Sequence, residues 1–132
     1  MDASLERLVR QRAEGVCEYC RMPQEWDTLP FHIDHIIAVQ HRGKDFASNL
    51  ALACYACNLH KGPNVAGIDP TTHKLVKLFH PRRHRWARHF RWNGPILEGR
   101  TAIGRVTVDV LAINLEHRVN LRALLMDLGV FP

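Results

Sequence analysis

The sequence predicts an α+β fold fastened by a four-cysteine metal site. Three observations carry this. Two C-x-x-C pairs, Cys17 with Cys20 and Cys54 with Cys57, stand 33 residues apart. Between them runs "FHIDHIIAV", residues 31–39, β-branched and apolar enough for a short buried strand. Apolar residues at helical spacing occur near both ends of the chain.

The cysteine pairs decide most. A tetrahedral site needs four soft ligands, and each C-x-x-C offers two thiolates from one tight turn. The opening "MDASLERLVRQRAEG" lacks the apolar run of a signal peptide, and no stretch has the length and apolarity of a membrane span. The expectation is therefore a reducing, cytoplasmic setting, where paired cysteines are metal ligands rather than disulfides. A structural Zn²⁺ held by Cys17, Cys20, Cys54 and Cys57 would clamp the region before the strand to the helix after it. With 132 residues, a single domain over 1–132 is expected, its core modest enough to need such a staple.

Each element follows from local pattern. Ser4 is placed to cap a helix whose face carries Leu5, Leu8, Val9 and Ala13, with Gly15 at its end. "MPQEWDTLP" reads as turns, residues 31–39 as a strand, and "QHRGKDFAS" as a polar loop. "NLALA" is a second short strand, and a helix from Cys57 to Lys61 is cut short by Gly62 and Pro63. "NVAGIDPTTH" reads as a connector, and residues 74–99 as short strands and turns. Thr101 opens a helix to about Ile113, and Asn114 is placed to cap another. Along that last helix Leu121, Leu124, Leu125 and Leu128 form a core stripe that Gly129 closes.

The formal charge of +5 is unevenly spread. No acidic residue lies between Asp69 and Glu98, while Lys74, Lys77, Arg82, Arg83, Arg85, Arg88 and Arg91 crowd into that interval. A polyanion is the natural partner. Phe79, Trp86, Phe90 and Trp92 are interleaved with the cations, which suits nucleic-acid contact, while Phe79, Trp86 and Trp92 could equally form a small core holding this segment to the cysteine region. Phosphate contacts are expected from Arg82, Arg83, Arg85, Arg88 and Arg91.

"HIDHII" carries the chemistry. Asp34 beside His35 presents a hard-metal ligand and a general base to one phosphate. Neighbours on a regular strand face opposite ways, so both serve one centre only where the strand runs out into its loop, near Ala38. Asn58 and Lys61, three apart on the next helix, share a face and offer an oxygen ligand and a phosphate-binding cation. The other histidines read more plainly. His32 is a strand residue that could also reach the metal or the nucleic acid, His41 is solvated, and His60 points away from the site. His73, His80, His84, His89 and His117 are surface or nucleic-acid-contacting residues at most.

The run C17-x-x-C20, D34-H35-I36-I37, N49-L50, C54-x-x-C57-N58 and K61-G62 resembles the HNH endonuclease family in its zinc-stapled form. The likeness spans about Val16 to Gly62, and "LFHPRRHRWARHF" is similar to a segment of bacterial stand-alone members. It implies a ββα-metal core (16–62) with an N-terminal helix and a C-terminal extension (68–132) of strands and helices. It implies His35 as general base, Asp34 and Asn58 as ligands of a catalytic divalent cation, and Asn49 as the residue orienting the His35 segment. The products would bear 5′-phosphate and 3′-hydroxyl ends, and the substrate would be duplex DNA. Asn58 stands where the family name has its last histidine, leaving an oxygen-rich site that favours Mg²⁺ or Mn²⁺. Ala38 replaces a frequent proline and Lys44 a frequent glycine, so loop geometry is where this chain departs from the pattern. The rival readings are a non-catalytic zinc module that binds nucleic acid, and an accessory protein whose nuclease acts within a larger complex.

Overall fold

The computed structural model describes all residues, Met1–Pro132, as a mixed helix and strand fold. Helix α1 (Ala3–Ala13) is capped by Asp2, not Ser4. The Asp2 carboxylate accepts the Ser4 and Leu5 N–H groups at 2.8 and 3.0 Å, leaving Ser4 inside the first turn. Glu14 and Gly15 turn left-handed and end it. Val9 is buried and Leu5 and Ala13 pack beside it, while Leu8 stays exposed because α1 covers β2 with a narrower stripe than its sequence offers. Arg12 fastens the helix by donating to the Ala47 and Leu50 carbonyls at 2.9 and 2.7 Å.

Strand β1 (His32–His35) pairs antiparallel with β2 (Leu50–Ala53), His35 opposite Leu50 and Asp34 opposite Ala51. Helix α2 (Tyr55–Lys61) follows directly, giving a ββα unit. β1 is shorter than its apolar run suggests. After His35 the backbone leaves the ladder: the Ile36 N–H bonds the Asn49 carbonyl at 2.8 Å, and Asn49 Oδ1 takes the Ile37 N–H at 2.8 Å. A single helical turn, Val39–His41, begins the loop. Gly43 is obligatory there, since a Cβ would lie 1.7 Å from the Ile37 carbonyl oxygen. α2 starts two residues earlier than expected because Cys54 caps it, its Sγ accepting the Cys57 N–H at 3.4 Å.

The supposed connector 64–73 contains a strand. β3 (Ala66–Ile68) pairs with β4 (Leu75–Lys77), the turn between them closed by Asp69, whose carboxylate accepts Thr71 N–H and Thr72 Oγ1 and forks to Arg105. Polar turn residues hid it. One helical turn, α3 (Trp86–His89), leads into the hairpin of β5 (Phe90–Asn93) and β6 (Ile96–Gly99). Helix α4 (Ala102–Val110) is capped by Thr101 and lies tight on β6, where a Cβ on Gly104 would meet the His89 carbonyl oxygen at 2.0 Å.

Helix α5 (Glu116–Asp127) has Leu115 at its N-cap. Asn114 does not cap it; its side chain bonds Leu97 N–H and C=O at 3.0 and 2.8 Å, closing the β6 edge. Only part of the leucine stripe is core: Leu125 is buried, whereas Leu124 and Leu128 are 56% and 62% exposed. The inward positions go to Arg118 and Arg122, whose guanidiniums find polar partners inside.

One apolar cluster runs from Val9 through the cysteines, Leu50 and Leu52 to Phe79, Phe90, Leu97, Val106 and Leu125. Phe79 and Phe90 are in its centre, with Trp86 and Trp92 stacked against it. Trp86 Nε1 donates to the Tyr19 carbonyl at 2.8 Å, so these aromatics fasten the basic segment to the cysteine region. His89, expected at the surface, is buried and bonds Thr101 Oγ1 at 2.6 Å. No helix is long and apolar enough to cross a membrane.

Candidate functional site

Two turns bring the sulfurs together. In the first, the Cys17 N–H bonds the Met22 carbonyl at 2.9 Å and Arg21 takes a positive φ, folding Cys20 back over Cys17. In the second, α2 begins on Cys54 and sets Cys57 one turn later. All four Sγ atoms lie within 4.8 Å of one another and all four residues are buried, positioned to bind one metal ion. Four soft donors at this spacing fit Zn²⁺, with no fifth protein group directed at the centre.

Sequence reasoning missed the cations around this cluster. Arg118 places Nη2 3.0 Å from Cys57 Sγ and 3.9 Å from Cys54 Sγ, while its Nη1 donates to the Leu111 and Ala112 carbonyls. Burial alone would push this guanidinium down, but the surrounding thiolates hold it above its ordinary value. A zinc with four thiolates carries a net charge of about −2, and a buried cation offsets part of it. Arg118→Met should lower stability by about 3–5 kcal/mol, read as the thermal midpoint of the zinc-loaded protein. An unchanged midpoint would remove Arg118 from the clamp. The signal available in the sequence was two arginines four apart inside an otherwise apolar stripe.

Asp34, His35 and Asn58 line one open cleft of about 280 Å³, with Gln40 and Gly62 at its rim. β1 supplies the first two at its end, where the chain bends out of the sheet, so neighbours reach one space despite strand alternation. Asn49 grips that bend from both sides: besides accepting from Ile37, its Nδ2 donates to the Ile37 and Lys44 carbonyls at 3.0 Å.

Lys61, expected to reach outward to a phosphate, is turned inward and only 1% exposed. Its ammonium lies 3.3 and 3.2 Å from the two Asp34 oxygens and donates to the His35 and Ile36 carbonyls. The end of β1 has carbonyls that no strand partner takes, and Lys61 satisfies them. Asp34 is 5% exposed, and Tyr19 donates its hydroxyl to Oδ2 at 2.7 Å. Burial pushes the Asp34 carboxyl up, while Lys61 and Tyr19 draw it back toward the ionised form. A carboxylate offers about four lone-pair directions. Tyr19 takes one on Oδ2 and Lys61 one on Oδ1, leaving one on each oxygen. With the Asn58 amide on the same cleft, the donors are hard oxygens and fit Mg²⁺ or Mn²⁺.

His35 has a partner that sequence reading did not foresee. Its Nε2 sits 2.7 Å from Asp45 Oδ1, across ten residues of loop. The bond lowers the Asp45 carboxyl below its ordinary value.

The basic segment divides. Arg82 turns inward to Glu18, whose other oxygen accepts the Leu52 N–H at 2.8 Å, so it braces the cysteine turn instead of facing solvent. Burial lowers this guanidinium to about 10. Arg91 pairs with Glu98 across the β5–β6 hairpin at 2.9 Å. Arg83, Arg85 and Arg88 remain exposed and form no ion pair.

Residues 17–64 match the HNH endonuclease family. The matched HNH domain contains both cysteine pairs, the Asp34–His35 strand end, Asn49 and Asn58. Across 90% of its length the chain is 28% identical to the Septu protein PtuA of Bacillus mycoides (strain KBAB4), and it spans 20% of that larger protein. No solved structure gives a significant match. HNH domains act on nucleic acid, and the exposed Arg83, Arg85 and Arg88 have the charge for such a partner.

Proposed function

We propose that this chain is a zinc-stapled, divalent-cation-dependent HNH nuclease that hydrolyses DNA phosphodiester bonds. The observation that carries the reading is the shared cleft of Asp34, His35 and Asn58, with His35 Nε2 held by Asp45. Nε2–H donates to Asp45, which leaves the Nδ1 lone pair free to take a proton. His35 then removes a proton from a water molecule as its oxygen bonds to phosphorus, the P–O3′ bond breaks, and the leaving 3′ oxygen is protonated from solvent. A divalent cation held by Asp34 and Asn58 would supply charge to neutralise the phosphate and the leaving oxygen. Tyr19 and Lys61 keep Asp34 ionised and aimed, and Asn49 holds the strand end that carries His35.

Mapping the ends of plasmid DNA cut with Mg²⁺ or Mn²⁺ tests the reading: 5′-phosphate and 3′-hydroxyl ends are expected, and 3′-phosphate ends would contradict it. Asp45→Ala should reduce kcat by about tenfold or more with little change in KM, because the imidazole loses its tautomer and aim but not the substrate. Asp45→Asn, which keeps a hydrogen-bond acceptor, should recover part of that loss.

The continuous apolar cluster across residues 16–62 and 68–132 supports one folding unit, and four reduced cysteines suit a cytoplasmic protein. A second reading rests on the relative of which this chain spans one fifth: the nuclease works as one part of a larger assembly. Weak cleavage by the isolated chain, restored by a partner protein, would favour it.

A further inference from the structure

Beside Lys61 is a second, more enclosed hollow of about 120 Å³. Ile36, Ile37 and Phe79 line it together with Lys61, Lys77, His80, Arg83 and His84, and Lys61 connects it to the Asp34 cleft through its bond to Asp34. None of Lys77, His80, Arg83 and His84 takes part in an ion pair. Lys77 and Arg83 bring two positive charges to one hollow whose lining has no acidic side chain.

The two imidazoles are fixed for donation. The backbone N–H of His80 donates to His84 Nδ1 at 2.9 Å, and the N–H of Arg82 donates to His80 Nδ1 at 3.2 Å. With Nδ1 engaged as an acceptor, each neutral ring carries its proton on Nε2, and both residues line the hollow. Burial, then Arg83, His84 and Lys77, lowers His80 to about 4, so it is a neutral donor at physiological pH. Two N–H donors, an ammonium and a guanidinium around one small hollow suit the oxygens of a phosphate.

We infer that the hollow lined by Lys77, His80, Arg83 and His84 binds one phosphate of the nucleic-acid strand, next to the phosphate addressed from the Asp34 and His35 cleft. The inference rests on the nuclease reading for its choice of ligand, and the bond between Lys61 of the hollow and Asp34 of the cleft supports the adjacency. It moves the phosphate-binding role away from Lys61 and Arg82, which the structure commits to internal pairs, and from Arg91, which pairs with Glu98 on the surface, toward a pocket built by the "KLFHPRRH" run.

Binding can be read without cleavage, so the test uses the His35→Ala protein. The imidazole NMR signals of His80 and His84 are followed during titration with inorganic phosphate alone, and separately with a short DNA duplex bearing hydroxyl ends. Both titrants should move both signals saturably, and the duplex should displace inorganic phosphate. Lys77→Ala combined with Arg83→Ala should weaken duplex binding at least about tenfold and lower the slope of log affinity against log salt by about 1–2. Lys77 and Arg83 are exposed, so an unchanged melting curve will verify the fold. Silent imidazole signals with both titrants would overturn the site. Movement with inorganic phosphate but unaltered duplex affinity in the double variant would overturn its assignment to the strand. Strong duplex binding through the pocket by a protein whose unsubstituted form cuts nothing would retain the site and reject the nuclease reading.

Discussion

His35→Ala should lose cleavage by about 10²–10⁴-fold in kcat while keeping its fold and its zinc. The range is what a positioned general base contributes to proton transfer. The fold should tolerate the change because the side chain is partly solvent-facing and its one side-chain partner, Asp45, is exposed. Nothing buried loses a hydrogen bond. The readout is conversion of supercoiled plasmid to nicked or linear forms with Mg²⁺ or Mn²⁺, beside melting curves of both proteins. Equal conversion would take His35 out of the mechanism, and absence of cleavage by both proteins would favour a binding module. The Asp45→Ala effect should be smaller, since that variant misdirects the base without deleting it.

Stripping the tightly held zinc should unfold the protein, and this is the largest stability effect expected. A structural zinc contributes about 10–16 kcal/mol of apparent binding energy, against a whole-domain stability of about 5–15 kcal/mol. The four sulfurs tie the turn before β1 to the start of α2, and without metal their buried thiolates lose the dication that balances most of their charge. Circular dichroism after treatment with a strong zinc chelator should show loss of structure that returns with added Zn²⁺. Withdrawing only the weakly held Mg²⁺ or Mn²⁺ should stop cleavage and leave the melting curve in place. Identical melting curves with and without zinc would refute the clamp.

These two expectations separate because the cysteine site and the proposed oxygen site differ in kind. The sulfur site is closed, buried and built from both sides of the ββα unit. The oxygen site is open, and its only carboxylate is already held by Tyr19 and Lys61 without any metal. Removing the second ion therefore leaves Asp34 with partners.

The cysteine pairs were legible because zinc ligation depends on residue type and spacing, which are local. So were the two strands of the ββα unit, the Thr101 cap and the helix ends at glycine, each set by a few neighbouring residues. β3 was missed because it is three residues long and lies among Asn, Gly, Asp, Pro and Thr, whose local preference is for turns. The α1 cap was misplaced by two residues since Asp2 and Ser4 both have capping side chains. In α5 a leucine stripe at helical spacing gave way to Arg118 and Arg122. Their partners, thiolates and free carbonyls, come from 64 and 27 positions away.

The sequence by itself determined which chemical groups are present: four thiols at metal-ligand spacing, and a carboxylate, an imidazole and an amide within the residues that match the HNH family. Those functions belong to side chains and travel with them. The tertiary structure alone decided which charges are spent internally and which are free. Lys61 satisfies Asp34 and the loose end of β1, Arg82 braces Glu18, Arg118 faces the sulfurs, and Asp45 reaches His35 from the loop. Lys77 and Arg83 keep their charges for a ligand. The reason is physical: a charge buried on folding must find its counter-charge in space, and chain order does not say where that partner will be.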